Sequence, residues 1–350
     1  MTLKSSIVLK RSICVTALAL LTGGMIIGNA LGNASNYVPA LDAGELLQQT
    51  DPAGRIPAVE EPEDSRQVIT LSFVGNCLVG SMLGSDAYGT FNEAIESEGP
   101  AYFLAGAAPV LADDDWTIGA LGSVFSDGDY RPAEKEDEEL AWYRSSSKGA
   151  EVLSCGSVEV MSLATEHTMD YGAEGYADTK AALEKAGVLW GDDENAVYLE
   201  KYGIRIGVYT CTLEDRETDL SRIRSWVENA AKSCDLVVVY PHGHMGLEPD
   251  DAAVFNAYCS LIDAGADMVL ASHSTKLYEP VSYGSGVIVP SLGSFLSGDT
   301  RFPDLVTGVF RVKLLCAEDY LDSWSWEMIP FLAYMEPWQP IPDPNPGSAE

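Results

Sequence analysis

The chain has few cations and few histidines for its length. Its 350 residues include 21 Lys and Arg against 53 Asp and Glu, which gives a formal net charge of −32, and only four histidines. A surface of this charge repels nucleic acid and anionic lipid headgroups, so it excludes proteins that bind those partners over a broad face. It would also repel a polyanionic polymer, except where a metal ion or a local basic patch intervenes.

Several binding and catalytic motifs are absent. The sequence has no G-x-x-x-x-G-K-[ST] phosphate loop, no G-x-G-x-x-G nucleotide fingerprint and no G-x-S-x-G nucleophile elbow. None of the seven cysteines forms a C-x-x-C pair, which argues against a zinc ribbon. Most of them lie in apolar stretches, so we expect buried free thiols rather than disulfides.

Residues 1–34 are typical of a targeting segment. Lys4, Lys10 and Arg11 precede an uncharged apolar run that is about long enough to cross a bilayer, which takes roughly 20 residues. The positive flank predicts a cytoplasmic N-terminus and an extracellular remainder. We expect an uncleaved signal anchor in the cell membrane. Small residues at Gly32–Ala34 leave signal cleavage and secretion as the alternative.

The rest of the chain divides by composition. Residues 35–66 are acidic and rich in Pro, which predicts a linker. Residues 331–350 form a Pro-rich tail, and we expect disorder from residue 338 onward. Between them, 67–330 mixes strand and helix patterns, which predicts an α/β sandwich. The predicted strands are 68–75, 116–121, 158–164, two runs within 196–212, 236–240, 267–271, 286–295 and 307–316; the predicted helices are 91–112 with a break at 97–100, 175–186, 220–234 and 250–264.

All four histidines lie in short motif-like stretches beside the ends of predicted strands. His167 lies in ATEHTMDYG, His242 and His244 lie in VVVYPHGHMGLEP, and His273 lies in MVLASHSTKL. Imidazole is the commonest metal ligand and the usual acid or base near neutral pH. Because ligands gather at the carboxyl ends of strands in α/β folds, the sequence predicts one site built around these residues.

Four segments, taken in order, resemble the bacterial capsule synthesis CapA family, also called the poly-γ-glutamate capsule proteins. They are GNCLVG (75–80), 163–188, 237–249 and 261–295, and the resemblance covers about 68–315. It implies the calcineurin-like metallophosphoesterase fold, an αββα sandwich of mixed sheets. It also implies a cluster of loops at strand ends that binds two metal ions and activates a water.

The chain departs from the ligand pattern of that family. The family's Gly-Asp, Asn-x-Glu, Asn-Asn-His and Gly-His-His-x-His correspond here to Gly75-Asn76, Ala120-Leu121-Gly122, Thr165-Glu166-His167 and Ala271-Ser272-His273-Ser274-Thr275. Its His-Trp-Gly with a following Glu falls either on His242-Gly243-His244 or on His244-Met245-Gly246 with Glu248, and the sequence does not choose between them. The metal ligands implied are Asn76, Glu166, His167, His242, His244, Glu248 and His273, and the candidate catalytic proton donors are His242 and His244.

These departures lower the number of ions expected. Asn76 lacks the negative charge of the family's aspartate, and Gly122 and Thr275 remove two side-chain ligands. Because two divalent ions carry a charge of about +4, the few remaining anionic ligands favour one ion over two. We expect one Mn, Zn or Mg ion, or none.

The resemblance implies an exported protein that makes or handles a capsule polymer such as poly-γ-glutamate, by metal-assisted hydrolysis or transfer if it is active. One alternative is a non-catalytic binding or scaffold protein at the cell surface that kept the fold and lost its metals. Another is a metal-dependent phosphoesterase that acts on a small substrate. The partners expected are an extracellular anionic polymer or its precursor, membrane synthase subunits and the membrane itself, but not nucleic acid.

Overall fold

A computed structural model gives the structure of the chain and describes residues 4–8, 66–85, 90–135, 141–213, 218–243, 251–272, 274–298, 305–333 and 338–344. The chain divides into two compact units, Arg11–Ser65 and a unit made of Met1–Lys10 with Arg66–Glu350. Every element described below belongs to the second unit, because the first lies outside the described residues.

In chain order, the strands are β1 (Lys4–Val8), β2 (Gln67–Leu78), β3 (Ser81–Met82), β4 (Trp116–Leu121), β5 (Val124–Phe125), β6 (Tyr143–Ser145), β7 (Val160–Ser162), β8 (Leu189–Gly191), β9 (Val197–Lys201), β10 (Ile204–Leu213), β11 (Leu236–Gly243), β12 (Met268–Leu270), β13 (Val281–Tyr283), β14 (Gly286–Val289), β15 (Ser294–Ser297), β16 (Leu305–Ala317), β17 (Tyr320–Ala333) and β18 (Pro340–Pro342). The α-helices are α1 (Phe91–Glu98), α2 (Ala108–Leu111), α3 (Gly149–Cys155), α4 (Gly172–Ala186), α5 (Ser221–Ala230) and α6 (Ala252–Ala264), with a 3₁₀ turn at Pro100–Tyr102.

Two large mixed sheets and one small sheet organise the described strands. The first has the order β1-β17-β16-β2-β4-β7-β8, with β15 beside β2 and β18 beside β17. The second has the order β13-β14-β12-β11-β10-β9, and the third is β3-β6-β5. Strands β2, β4, β7 and β8 run parallel, as do β10, β11, β12 and β14, so each large sheet gathers several carboxyl ends at one edge.

An apolar core lies between the two large sheets. Ile69, Leu71 and Phe73 alternate along β2 into this core, which also contains Tyr240 of β11. The Tyr240 hydroxyl donates a 2.5 Å hydrogen bond to the backbone carbonyl of Val74 on β2. This bond links the sheets at a fully buried position, where a lost partner is costly.

Helices cover the outer face of each large sheet. Residues of α1, α3 and α4 pack with β2 and β7 in a second core cluster, and residues of α5 and α6 pack with β10 and β11 in a third. Because both faces of the parallel strands are buried, their sequences are nearly continuous apolar runs. The layers therefore form the expected α/β sandwich of mixed sheets.

Several predicted elements are confirmed. Strand β4 has the predicted bounds, and α4 ends before Gly187, whose φ of 77° is the left-handed conformation that glycine adopts readily. The two strand runs predicted within 196–212 form the antiparallel hairpin β9–β10, which turns at Tyr202-Gly203. The helix predicted over 91–112 is divided into α1, a 3₁₀ turn and α2.

The C-terminal part of the chain differs from the expectation. Strand β17 was not predicted, and it pairs along its length with β16. The disorder expected from 338 is wrong for Trp338 and for Pro340–Pro342, which forms β18 against β17. Trp338 is buried with its ring edge-on to Phe91, at 5.7 Å between centroids. That contact anchors the segment, and prolines are tolerated because β18 is an edge strand.

The expected N-terminal anchor lies largely outside the described residues. Of the first 34 residues only Lys4–Val8 is described, as strand β1 antiparallel to β17. In the described part of the chain, no helix has the length and apolar character needed to cross a membrane. The apolar run that begins at Ser12 lies outside that part.

The described cysteines are free, as expected from their spacing. Four of them, Cys77, Cys211, Cys259 and Cys316, are buried, whereas Cys155 is exposed and Cys234 is half-buried. Burial raises the pKa of the Cys77 thiol to about 12. These buried thiols behave as small apolar side chains rather than as nucleophiles.

Candidate functional site

The candidate site lies where carboxyl ends of strands from both large sheets meet. Glu166 and His167 lie in the segment between β7 of the first sheet and α4. His242 is the penultimate residue of β11 in the second sheet, and Ser272 follows β12 and forms a bridge with His242. The fold therefore brings together residues 76 positions apart through the ends of two separate strands.

Glu166 contacts two imidazoles through its two carboxylate oxygens. Its Oε2 lies 2.5 Å from Nε2 of His242, and its Oε1 lies 3.5 Å from Nε2 of His167. His242 is fully buried, and the Glu166 and His167 side chains are 12% and 9% exposed. Both imidazoles thus direct the same ring nitrogen towards one carboxylate that is almost removed from solvent.

The opposite nitrogen of each ring is also hydrogen-bonded. Nδ1 of His167 lies 3.0 Å from Oδ2 of Asp170, and Nδ1 of His242 lies 2.8 Å from Oγ of Ser272. Such contacts fix the orientation of a ring, and in metal sites they are typical of the nitrogen that does not ligate the ion. Asp170 and Ser272 therefore hold the two Nε2 atoms in place.

Two groups besides His167 hold Asp170 in place. It is fully buried, and its Oδ2 accepts a 2.7 Å hydrogen bond from the backbone N–H of Tyr143, while its Oδ1 pairs with Lys135. The Tyr143 ring packs edge-on to His167, at 4.7 Å between centroids. From the sequence, Asp170 is interpreted as a residue that shapes the loop. The structure also gives it a direct contact with His167.

Sequence reasoning missed Lys135. It belongs to the polar stretch 127–148, whose composition is typical of a surface loop. Its side chain is nevertheless only 11% exposed, and its Nζ also donates to the Ala141 carbonyl. The H-x-x-D spacing of His167 and Asp170 gives a local signal for their contact. No pattern in the sequence indicates that a lysine far earlier in the chain completes the pair.

Asn76 lies close to the end of β2, where the neighbouring residues leave little space for additional atoms. Its backbone N–H donates to the Gly293 carbonyl at 3.0 Å, and a Cβ on the preceding Gly75 would lie only 1.8 Å from that oxygen. A Cβ on Gly122 would lie 2.8 Å from Oδ1 of Asn76. Both glycines are thus required for the packing around Asn76. Among the described residues its buried Oδ1 has no hydrogen-bond partner, so the atom retains acceptor capacity.

The remaining predicted ligands are not described. His244, Glu248 and His273 lie outside the described residues, so the structure brings together Glu166, His167 and His242 of the predicted set. Across the part of the chain with described side chains, no group of three or more His, Cys, Asp or Glu has the arrangement of a metal cluster. The 2.5 Å contact of Glu166 with His242 is a direct hydrogen bond, and an ion would have to replace it.

The donor chemistry nevertheless suits a divalent cation. Two imidazole nitrogens and a carboxylate are ligands that zinc and manganese accept. The same groups are also suited to proton transfer near neutral pH. They belong to one chain of polar contacts that runs through Ser272, His242, Glu166, His167, Asp170 and Lys135.

Comparison with known proteins gives consistent matches. The family model of the bacterial capsule synthesis protein PGA_cap matches residues 70–299. The chain is 26% identical over 296 residues to the capsule biosynthesis protein CapA of Bacillus anthracis, covering 75% of this chain and 67% of that protein. It is 25% identical over 291 residues to the PGA biosynthesis protein CapA of Bacillus subtilis (strain 168), covering 75% and 72%. A solved structure of a hypothetical protein from Thermus thermophilus matches with a TM-score of 0.42 and 12% identity, over 74% of this chain and 100% of that one.

Proposed function

Since the chain belongs to the bacterial capsule synthesis protein family, we propose that it acts in making or handling a capsule polymer, either poly-γ-glutamate or a related anionic polymer. The matched region, 70–299, contains Asn76, Glu166, His167 and His242. The names of the two CapA relatives support the capsule role, and the arrangement of these side chains supports a working site. The activity itself is hydrolysis or transfer at that site.

The observation that supports this site best is the convergence of two Nε2 atoms on one carboxylate. His167 and His242 each have Nδ1 held by another side chain, so their Nε2 atoms face Glu166. These three residues would hold one Mn, Zn or Mg ion. When bound, the ion would polarise the substrate and lower the pKa of a water molecule.

The residues around the ligands position them. Asp170 accepts the hydrogen bond that fixes His167, and its own charge is balanced by Lys135. Ser272 fixes His242, which is buried between the sheets and is the described candidate for moving a proton. Exclusion of water strengthens all of these electrostatic contacts.

A non-catalytic scaffold is the second candidate, and one observation favours it. Glu166 bonds directly to His242, so in the described part of the site the carboxylate already satisfies an imidazole without an ion. A surface protein of this kind would keep the fold and bind the polymer or the synthase subunits. The two candidates differ in whether Glu166 is required for polymer production.

Complementation of a gene deletion tests the capsule role and the site together. We expect loss of surface polymer in the deletion strain, recovery with the wild-type chain, and no recovery with Glu166→Gln at equal protein level. Glu174→Gln is the matched control, because Glu174 is exposed in the first turn of α4. Unchanged polymer in the deletion strain would contradict the capsule role. Full recovery by Glu166→Gln would contradict the catalytic site and favour the scaffold.

The same strains test the location of the protein. We propose an extracellular domain held by a single N-terminal membrane segment, with secretion after cleavage as the alternative. An anchored chain stays in the membrane fraction after an alkaline wash. Recovery of a shortened chain from the culture medium would instead show cleavage.

A further inference from the structure

A groove of about 830 Å³ lies beside the candidate site and is not used by it. Its lining includes the hydroxyl and amide side chains of Ser81, Thr90 and Asn92 and the rings of Tyr130 and Tyr171. Two of the lining residues are hydrogen-bonded to each other, because the backbone N–H of Asn92 donates to Ser81 Oγ at 2.9 Å. The groove therefore combines polar groups and aromatic surface, as binding sites for small or extended ligands do.

Arg144 is the single cationic residue among the described residues that line this groove. Its guanidinium carbon lies 5.0 Å from the centroid of the Tyr171 ring, and it forms no ion pair with any carboxylate of the described chain. A stacked guanidinium uses only its face in the contact. Its N–H donors stay available at the edge, and these donors suit a carboxylate.

Arg144 forms no ion pair with the described acidic residues that line the groove. Glu93 and Glu96 lie on its wall, and Glu96 pairs with Lys148 at 2.6 Å. A carboxylate brought by a ligand would therefore meet a cation whose stack on Tyr171 already fixes its orientation. Pre-orientation lowers the entropy lost on binding.

The groove and the candidate site share strand β6. Successive side chains of a strand point to opposite faces, so Tyr143 packs on His167 while Arg144 lines the groove. The next pair behaves in the same way, since Asp170 contacts His167 and Tyr171 lines the groove. A chain lying in the groove would run directly behind the residues that position His167.

We propose that this groove binds a carboxylate of an acidic polymer chain, with Arg144 as the carboxylate-binding residue and the ring of Tyr130 packing on the apolar part of the ligand. The identity of the polymer rests on the proposed capsule function. Arg144 supplies one local cation in a protein with a net charge of −32.

Calorimetric titration of the full-length chain with a γ-linked glutamate oligomer of about ten residues tests this inference. We expect Arg144→Gln to weaken binding about tenfold or more, Arg144→Lys to weaken it less, and a neutral γ-linked glutamine oligomer to bind poorly to the wild type. Arg205→Gln is the matched control, because Arg205 also stacks on a tyrosine, Tyr198, at 4.7 Å, but does not line the groove. It should bind like the wild type.

Two outcomes would overturn the inference, and both are separable from failure of the proposed function. Unchanged affinity in a folded Arg144→Gln variant would exclude Arg144 as the binding residue. Absence of any binding by the wild type would exclude the groove as a binding site for the polymer. The complementation experiment would still test the capsule role independently. Loss of binding in Arg144→Gln, together with polymer production by Glu166→Gln, would keep the groove and reject the catalytic site.

Discussion

Asp170 and Lys135 form the most enclosed charge pair of the candidate site. Their side chains are 0% and 11% exposed, and Asp170 also accepts hydrogen bonds from the Tyr143 backbone and from His167. Removing one member of a buried pair leaves the other charge without compensation, which costs more than the pair itself contributes. The pair therefore fixes His167 only as long as both residues are present.

We predict that Asp170→Asn lowers the free energy of unfolding by about 3–5 kcal/mol, because Lys135 would keep its buried charge. The double variant Asp170→Asn/Lys135→Met should lose less than the sum of the two single variants. Urea unfolding of the full-length chain measures both effects. Lys148→Met serves as the control, since Lys148 pairs with Glu96 at the exposed surface, and it should unfold like the wild type. Additive losses in the double variant would contradict a coupled pair.

At the scale of elements, a second polar cluster lies at the amino end of β4, opposite to the candidate site. Asp114 precedes this strand and accepts a 2.8 Å hydrogen bond from Thr117 Oγ1, and Glu159 accepts one from the Thr117 backbone at 2.7 Å. Ser72 and the buried Arg311 face the same cluster. Burial raises the pKa of Asp114 to about 6, although hydrogen bonds from Ser72 and Thr117 and the charge of Arg311 lower it, and burial also raises the pKa of Glu159.

This cluster predicts a pH dependence of stability. Between about pH 4 and pH 6 the folded chain retains the Asp114 proton and the unfolded chain releases it, so the free energy of unfolding falls as the pH rises. Asp114→Asn lacks this titration. Its stability relative to the wild type should therefore be greater at pH 7 than at pH 4, by about 1–2 kcal/mol after allowance for partial solvent screening. Urea unfolding at both pH values measures the difference, and an equal difference at the two values would contradict the raised pKa.

The elements show what the sequence can predict. Strand β4, the glycine end of α4 and the hairpin β9–β10 follow from local patterns, namely an apolar run, a left-handed glycine and a turn at Tyr202-Gly203. Strand β17 was missed because polar residues such as Asp322 and Glu327 interrupt its apolar positions. Its signal is the alternation of Trp324, Trp326 and Met328, which are buried residues of this strand.

For the candidate site, too, local sequence patterns predict only part of the structure. The segments that contain Glu166, His167 and His242 were recognisable, because each follows or ends an apolar strand. The distances between these three residues could not be predicted, because the contact of Glu166 with His242 depends on how two separate sheets pack. Strand β6 and Lys135 lie in a stretch whose composition is that of a surface loop, and only the tertiary structure makes them part of the site.

At the scale of the whole molecule, the net charge of −32 opposes binding of an anionic polymer. The fold offers two means of overcoming this repulsion. In the proposed function one is a divalent ion that Glu166, His167 and His242 would hold, and in the proposed groove the other is Arg144. The two are neighbours, because Tyr143 of β6 packs on His167 while Arg144 of the same strand lines the groove.

The metal content of the full-length chain tests the central claim most directly. Elemental analysis should find close to one equivalent of zinc, manganese or magnesium in the wild type and in Glu174→Gln. The folded double variant His167→Ala/His242→Ala should lose it, because the two converging Nε2 ligands are gone. A folded wild type that retains no ion after incubation with each metal and desalting, or a double variant with unchanged content, would contradict a metal site at Glu166, His167 and His242.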